Sequence, residues 1–191
     1  MDSNLLAQFT CADEAACEAV AIKLGQQGAS GLATLAELLK ADQSDLRFWA
    51  VRGLWANGSA EAGALLVNTL ADPEPMVRSG AAYALGELKA AEAVAALTQL
   101  VAGDDSEAGE HAADALIKIG GQVAGPVLIE ILQDERAWVR VRAAKVLVSI
   151  ENKTAIPALF AALEDESYLV RYHAEEALAR LGAGQMVYFQ V

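Results

Sequence analysis

The sequence predicts an all-α fold, a right-handed α-solenoid of stacked antiparallel helix pairs. Three observations lead there. The chain repeats at a step of 31 residues with no insertion, the signature of stacked supersecondary units. Its composition is 54% apolar but only 6% aromatic, rich in Ala and Leu, which suits closely packed helices. Each repeat also reads as two helical stretches separated by turn residues. At 191 residues the chain is long enough to bury a sizeable core.

The repeat shows as columns. Leu35, Leu66, Leu97, Leu128 and Leu159 share one register, and Leu39, Leu70, Val101, Leu132 and Leu163 another. Downstream run Ala50, Ala81, Ala112, Ala143 and Ala174, then Leu54, Leu85, Leu116, Leu147 and Leu178. Five repeats follow: 35–65, 66–96, 97–127, 128–158 and 159–189. The first helix of each is short and apolar, as in "AAEAVAALTQLVAG" or "TAIPALFAALED". The second follows an Asp, so Asp72, Asp134 and Asp165 are expected as N-cap oxygens, with Pro73 at the first helical position. Turns such as "NGS", "GGQ" and "ENK" separate the repeats. The Ala column permits close approach and the Leu columns fill the space between layers. One pair cannot bury its apolar face alone, so the pairs stack. Residues 1–34 lose the register and read as a degenerate N-terminal capping pair, "SNLLAQF" followed by "DEAACEAVAIKLGQQG". In the tail "GAGQMVYFQV", Met186, Val187, Tyr188 and Phe189 are expected to fold back over the last layer; a docking peptide or a disordered end is the alternative.

Charge narrows the function. A net charge of −12 argues against a DNA or RNA ligand and an anionic membrane surface, and would steer a basic partner toward the chain. Cys11 and Cys17 form no zinc pattern and read as two small buried hydrophobes. No signal peptide or apolar span is evident, and a reducing cytoplasm is the expected location.

One motif carries a family likeness: Asp, variable residues, Val-Arg, two variable residues, Ala-Ala, then Ala-Leu-Gly. It reads "DPEPMVRSGAAYALG", "DERAWVRVRAAKVLV" and "DESYLVRYHAEEALA". The chain thereby resembles HEAT-like repeat proteins, in particular the short type with 31-residue repeats named after the phycobilisome lyases. The likeness covers about 35–182 and is specific for fold, weak for activity. It implies that the second helices line a concave face and that the variable positions point into it. Those positions include Phe48, Trp49 and Arg52 in the first repeat, and Met76 and Tyr83 in the second. The third contributes Glu107, Glu110, His111 and Asp114, and the fourth Trp138, Arg142 and Lys145. The last contributes Tyr168, Tyr172, His173 and Glu176. Helical spacing groups several of them independently: Phe48, Arg52 and Trp55, or Tyr168, Tyr172 and Glu176, fall on one face apart from the Ala and Leu columns. Large aromatics on a solvated face are interface anchors; the competing reading packs Trp49, Trp138 and Tyr168 between layers.

Other chemistry is weighed on the same residues. Arg47, Arg78, Arg140 and Arg171 share one register and are expected to form a structural ladder with the Asp-led loops, since a planar fork suits carboxylates and carbonyls. His111 and His173 lie two repeats apart, roughly 20 Å by layer spacing, too far to share a metal. The deoxyhypusine hydroxylases, which are HEAT-like, bind iron through His-Glu dipeptides. This chain reads "EHAAD" and "YHAEE", so no metal and no cofactor are expected. Nothing marks Ser106, beside His111 and Asp114, as activated, and no catalytic residue is assigned. His173 with Glu176 reads as a pH-sensitive polar contact. The third repeat departs most from the pattern: it carries Gly109 in place of Arg and gathers acidic side chains. A flexible joint, an acidic pocket and drift in a solvated face all fit it.

The function expected is a non-catalytic scaffold or adaptor that binds a peptide or helix of another protein, possibly basic, in its groove. The alternative is a bilin lyase or phycobilisome-related chaperone subunit, with Arg52 and Arg142 holding the propionates of an open-chain tetrapyrrole. The HEAT-like DNA glycosylases are a third class, disfavoured by charge.

Overall fold

The protein is described by a computed structural model that covers Phe9, 13–104 and 106–184, with only the backbone described at 121 and 122. The expected tail packing of Met186 to Phe189, most of "SNLLAQF" and Cys11 lie outside these residues. The described residues form eleven α-helices. They are α1 (Glu14–Gly25), α2 (Ala29–Leu38), α3 (Ser44–Asn57), α4 (Ala60–Thr69), α5 (Pro75–Glu87), α6 (Val94–Gly103), α7 (Glu107–Ile119), α8 (Gly121–Ile131), α9 (Ala137–Ile150), α10 (Ile156–Ala162) and α11 (Tyr168–Arg180). Short 3₁₀ turns, Ala91–Ala93 and Lys153–Ala155, lead into α6 and α10. None of these helices is long and apolar enough to cross a membrane.

The fold is an all-helical repeat solenoid. The helical hairpins, for example 60–87 and 153–180, start about six residues before the corresponding 31-residue sequence windows. The division at residue 34 therefore falls inside α2, which pairs with α3. Two compact units, Met1–Ala93 and Val94–Val191, are each built this way. In the first, α3 packs between α1 and α5, flanked by α2 and α4. In the second, α9 packs between α7 and α11, with α6 and α8 alongside, and α10 packs on α11. The Leu columns are the core: Leu35, Leu66, Leu97, Leu128 and Leu159, and Leu54, Leu85, Leu116, Leu147 and Leu178, are all fully buried. So is the Ala column from Ala50 to Ala174. Between α1 and α3 the approach is closer still, because a Cβ on Gly25 would overlap the carbonyl oxygen of Gly53. Cys17 on α1 is buried, its Sγ 3.6 Å from the Phe9 carbonyl oxygen.

The loop between the helices of a hairpin is fastened by the Arg column. Arg47 Nη1 donates to the Ala41 and Asp42 carbonyls at 3.0 and 2.9 Å. Arg78, Arg140 and Arg171 repeat this at their own loops, satisfying loop carbonyls that lie beyond the end of the first helix. The rest of the fork reaches the next hairpin. Arg47 Nε and Nη2 donate to both oxygens of Asp72 at 2.7 and 2.8 Å. Arg140 does the same to Asp165 at 2.7 and 3.0 Å.

The Asp residues differ from expectation in one respect. They are not N-caps. Asp72, Asp134 and Asp165 each accept the amide two residues on, at Glu74, Arg136 and Ser167. These Asx turns precede N-caps Glu74, Arg136 and Ser167, none of which caps with its own side chain. Accordingly Pro75, not Pro73, occupies the first helical position. In the third repeat the Asx turn falls one residue later in register, on Asp104, whose Oδ1 accepts the Ser106 amide at 2.8 Å.

Burial pushes the Asp72 carboxyl up, but its bonds from Arg47 and the Glu74 amide outweigh this and hold it below the usual carboxylate range. The Arg140 fork holds Asp165 low against a smaller burial effect. The Arg136 side chain holds Asp134 down to about 2. Folding therefore favours the ionised form of all three. Their contribution is complete above the unfolded carboxylate value near 3.9 and is lost as pH falls toward the folded values. The melting temperature should stay level from about pH 7 to 5 and drop steeply below about pH 4; thermal melts by circular dichroism across that range check this.

Arg140→Ala leaves Asp165 and two loop carbonyls without their partner. Removing one member of a buried pair costs roughly 3–5 kcal/mol, against a few tenths for an ordinary surface change. Chemical denaturation of Arg140→Ala beside the exposed-site control Lys153→Ala measures the difference.

Candidate interaction surface

The second helices of the hairpins carry the predicted surface residues, and each compact unit presents its own set. In the first unit, Phe48 and Trp49 on α3 are half-buried and meet edge to face at 5.3 Å, with Phe48 lying against Gly80 of α5. Arg52 is ion-paired with Glu18 of α1 and lies over the Trp55 ring at 4.7 Å. Trp55 in turn meets the exposed Tyr83 edge to face at 5.5 Å. Glu18, Arg52, Trp55 and Tyr83 thus form one chain of contacts along α1, α3 and α5. Trp55, which helical spacing groups with Phe48 and Arg52, lies in this chain of contacts, although its repeat column holds Gly86 and Ile117. Met76 is exposed.

In the second unit, Glu107, Glu110 and Asp114 of α7 are exposed and His111 is half-buried. The Ser106 hydroxyl is the N-cap of α7 and accepts the Ala108 amide at 3.2 Å. Burial raises the Glu110 carboxyl, yet its pairing with Arg142 and Lys145 prevails and holds it low. On α11, Tyr168, Leu169 and Tyr172 are 67%, 51% and 49% exposed. Tyr168 and Tyr172 lie 6.4 Å apart, and Arg171 sits over Tyr168 at 6.0 Å. Leu169 completes this patch. Trp138 on α9 is 36% exposed, and Lys145 is exposed.

Arg142 departs from its assignment. It is only 5% exposed. Its Nη1 donates to the Val101 and Asp104 carbonyls at 2.9 and 2.7 Å, and its Nε to Glu110 at 3.0 Å. The side chain turns back onto the preceding layer, so it is not part of the open surface. Asp134 likewise lacks a column arginine, since position 109 is Gly, and is taken by its neighbour Arg136 through two bonds of 2.9 and 2.8 Å.

His173 meets Tyr172 edge to face at 5.2 Å. Its Nδ1 is shielded from solvent and makes no hydrogen bond. Glu176 Oε2 lies 3.5 Å away, within ion-pair reach only when the ring is protonated. Glu176 also accepts from Arg180 at 2.9 Å. Among the described residues no cluster of three His, Cys, Asp or Glu side chains is set to hold a metal ion. A shallow cleft of about 220 Å³ lies beside Leu39, Leu65, Asn68, Thr69, Ala71 and Asp72, where Asp72 is already engaged by Arg47.

A family model for HEAT repeats matches three overlapping stretches, 32–117, 63–139 and 125–187. A search of curated proteins finds no match. Among solved structures, the YibA protein of Escherichia coli aligns with 99% of this chain and 74% of its own at 20% identity and a TM-score of 0.61. A chain from the complex of CpcE and CpcF of phycocyanin lyase from Nostoc aligns with 93% of this chain and 76% of its own, at 23% identity and a TM-score of 0.54. A designed armadillo repeat protein aligns over 93% and 98%, at 21% identity and a TM-score of 0.50. These likenesses establish the fold. With the family model matched from 32 to 187 and the arginine-fastened hairpins described above, the chain belongs to the HEAT-repeat family.

Proposed function

We propose that this protein is a non-catalytic scaffold whose second helices hold a segment of another protein, and that the segment is basic with apolar anchors. The observation that carries this reading is the patch of Tyr168, Leu169 and Tyr172, each about half exposed or more on α11. Water does not reward such a patch, whereas a partner does, and Tyr is enriched among interface anchors. The net charge of −12 and the exposed Glu107 and Asp114 supply the complementary field for cationic side chains. The designed armadillo repeat protein of the same fold was solved with the peptide (KR)4. The polar groups that a reaction would draw upon are engaged in holding the fold: Arg142 by two carbonyls and Glu110, Arg52 by Glu18, and Asp72 and Asp165 by the Arg column.

The CpcE–CpcF likeness keeps a bilin-handling role as the second reading. It has less support, because Arg52 and Arg142, the residues expected to hold propionates, are committed to internal partners. Coexpression with a bilin separates the two: chromophore that copurifies with the protein favours the second.

Fluorescein-labelled (Lys-Arg)4 and basic peptides carrying one Trp or Leu provide the binding test by anisotropy. The apolar-bearing peptides should bind more tightly, and Tyr168→Ala with Tyr172→Ala should weaken them by on the order of 10-fold or more. Salt should weaken binding further. Absence of binding by every basic peptide, with the helical spectrum intact, refutes the proposal.

A further inference from the structure

A column arginine has two jobs: it holds the carbonyls of its own loop and the Asp of the next hairpin. The third repeat has Gly109 at that place, yet both jobs are done. Arg142 holds the Val101 and Asp104 carbonyls, and Arg136 holds Asp134. A Cβ at position 109 would overlap the Arg142 guanidinium and the Asp104 carbonyl oxygen, so glycine there is what admits Arg142. Both substitutes come from the start of α9, and both lie over one side chain. The guanidinium carbons of Arg142 and Arg136 are 4.9 and 5.2 Å from the centre of the Trp138 ring.

We infer that Arg136 and Arg142 are positioning residues that fix the Trp138 indole as a pre-set anchor for the partner segment. This rests on the binding reading above. The guanidinium planes attract the indole face, and each is itself held, Arg142 by carbonyls and Glu110, Arg136 by the two oxygens of Asp134. An anchor already ordered in the free protein loses less side-chain entropy on binding. The 36% of Trp138 left open is the part a partner's apolar side chain reaches. Neither arginine is offered to the ligand; their effect passes through the tryptophan.

The test uses the full chain with Trp49→Phe and Trp55→Phe, so that Trp138 alone emits. Time-resolved anisotropy reports indole motion on the nanosecond scale. Arg136→Gln removes an exposed surface pair, so the melting temperature should hardly move, whereas the mobile fraction of Trp138 should rise roughly two- to five-fold. Arg142→Lys keeps the charge but not the planar fork and should raise it at least as much. A stability role alone would not move this signal in Arg136→Gln. Indole motion unchanged in both variants overturns the inference, as does Gly109→Ala with an undiminished melting temperature. Adding the Trp-free, Leu-bearing basic peptide separates the two claims. If the peptide does not bind, the binding reading fails while the indole measurement stands. If it binds and Trp138 emission stays constant, Trp138 is not the anchor and this inference fails.

Discussion

The structure depends on one interaction, the arginine fork that joins consecutive hairpins. A helical hairpin leaves carbonyls free in the loop after its first helix, and a solenoid places that loop beside the next layer, where water is scarce. Arg47 and Arg140 answer both demands with a single planar group, giving Nη1 to their own loops and Nε with Nη2 to Asp72 and Asp165. The connection spans 25 residues in each case. An inserted residue between the Arg and its Asp would break the bidentate geometry or leave a charge buried without its partner. The strict step of 31 is thus required by polar groups as much as by the Leu columns, which alone would tolerate local slippage. Packing makes the layers adhere; the fork sets which turn of one layer meets which loop of the next.

Much of this was readable from the sequence because it is periodic. The all-helical class, the two helices per repeat and the buried columns follow from the spacing of Leu and Ala, and the structure places the Leu35, Leu54 and Ala50 columns at zero exposure. Boundaries were less readable. A 31-residue window can begin anywhere in the cycle, and one that begins at residue 35 starts inside α2. Asp72 was read as a cap because Asp before a helix ordinarily is one, but its oxygens were claimed by Arg47 and the Glu74 amide. That competition is invisible locally, since the arginine lies in the previous hairpin.

The surface was legible as a set of positions but not as a set of orientations. Tyr168 and Tyr172 stand where the i, i+4 pattern put them, open to solvent. Phe48 shares the register of Tyr172 and is half-buried, because Gly80 on α5 leaves room for it to lie down. Arg142 shares its register with Trp49 and His173, yet turns inward. A long side chain with several rotatable bonds goes where unsatisfied acceptors and space coincide, and both were supplied by the third repeat. The signal that would have found this is the absent Arg at 109 read together with the extra Arg at 136 and 142. Two anomalies of opposite sign, about one repeat apart, describe a substitution made in space.

This gives the irregular third repeat a physical account. Without Arg142 the buried Val101 and Asp104 carbonyls would lose their side-chain partner, at a cost of about 1–3 kcal/mol for each buried group left unsatisfied. Dividing the task between two residues of α9 preserves the fastening. It also changes the surface, because two guanidinium groups now lie 4.9 and 5.2 Å from the centre of one exposed indole ring. At Arg47 and Arg140 the fork is spent on loop carbonyls and on the Asp of the next hairpin, and Trp55 draws its support from Arg52 and Tyr83. A break in the repeat is therefore where a uniform stack acquires a distinct feature: the constraint that keeps the layers in register, satisfied by other means, brings two guanidinium groups to the Trp138 ring.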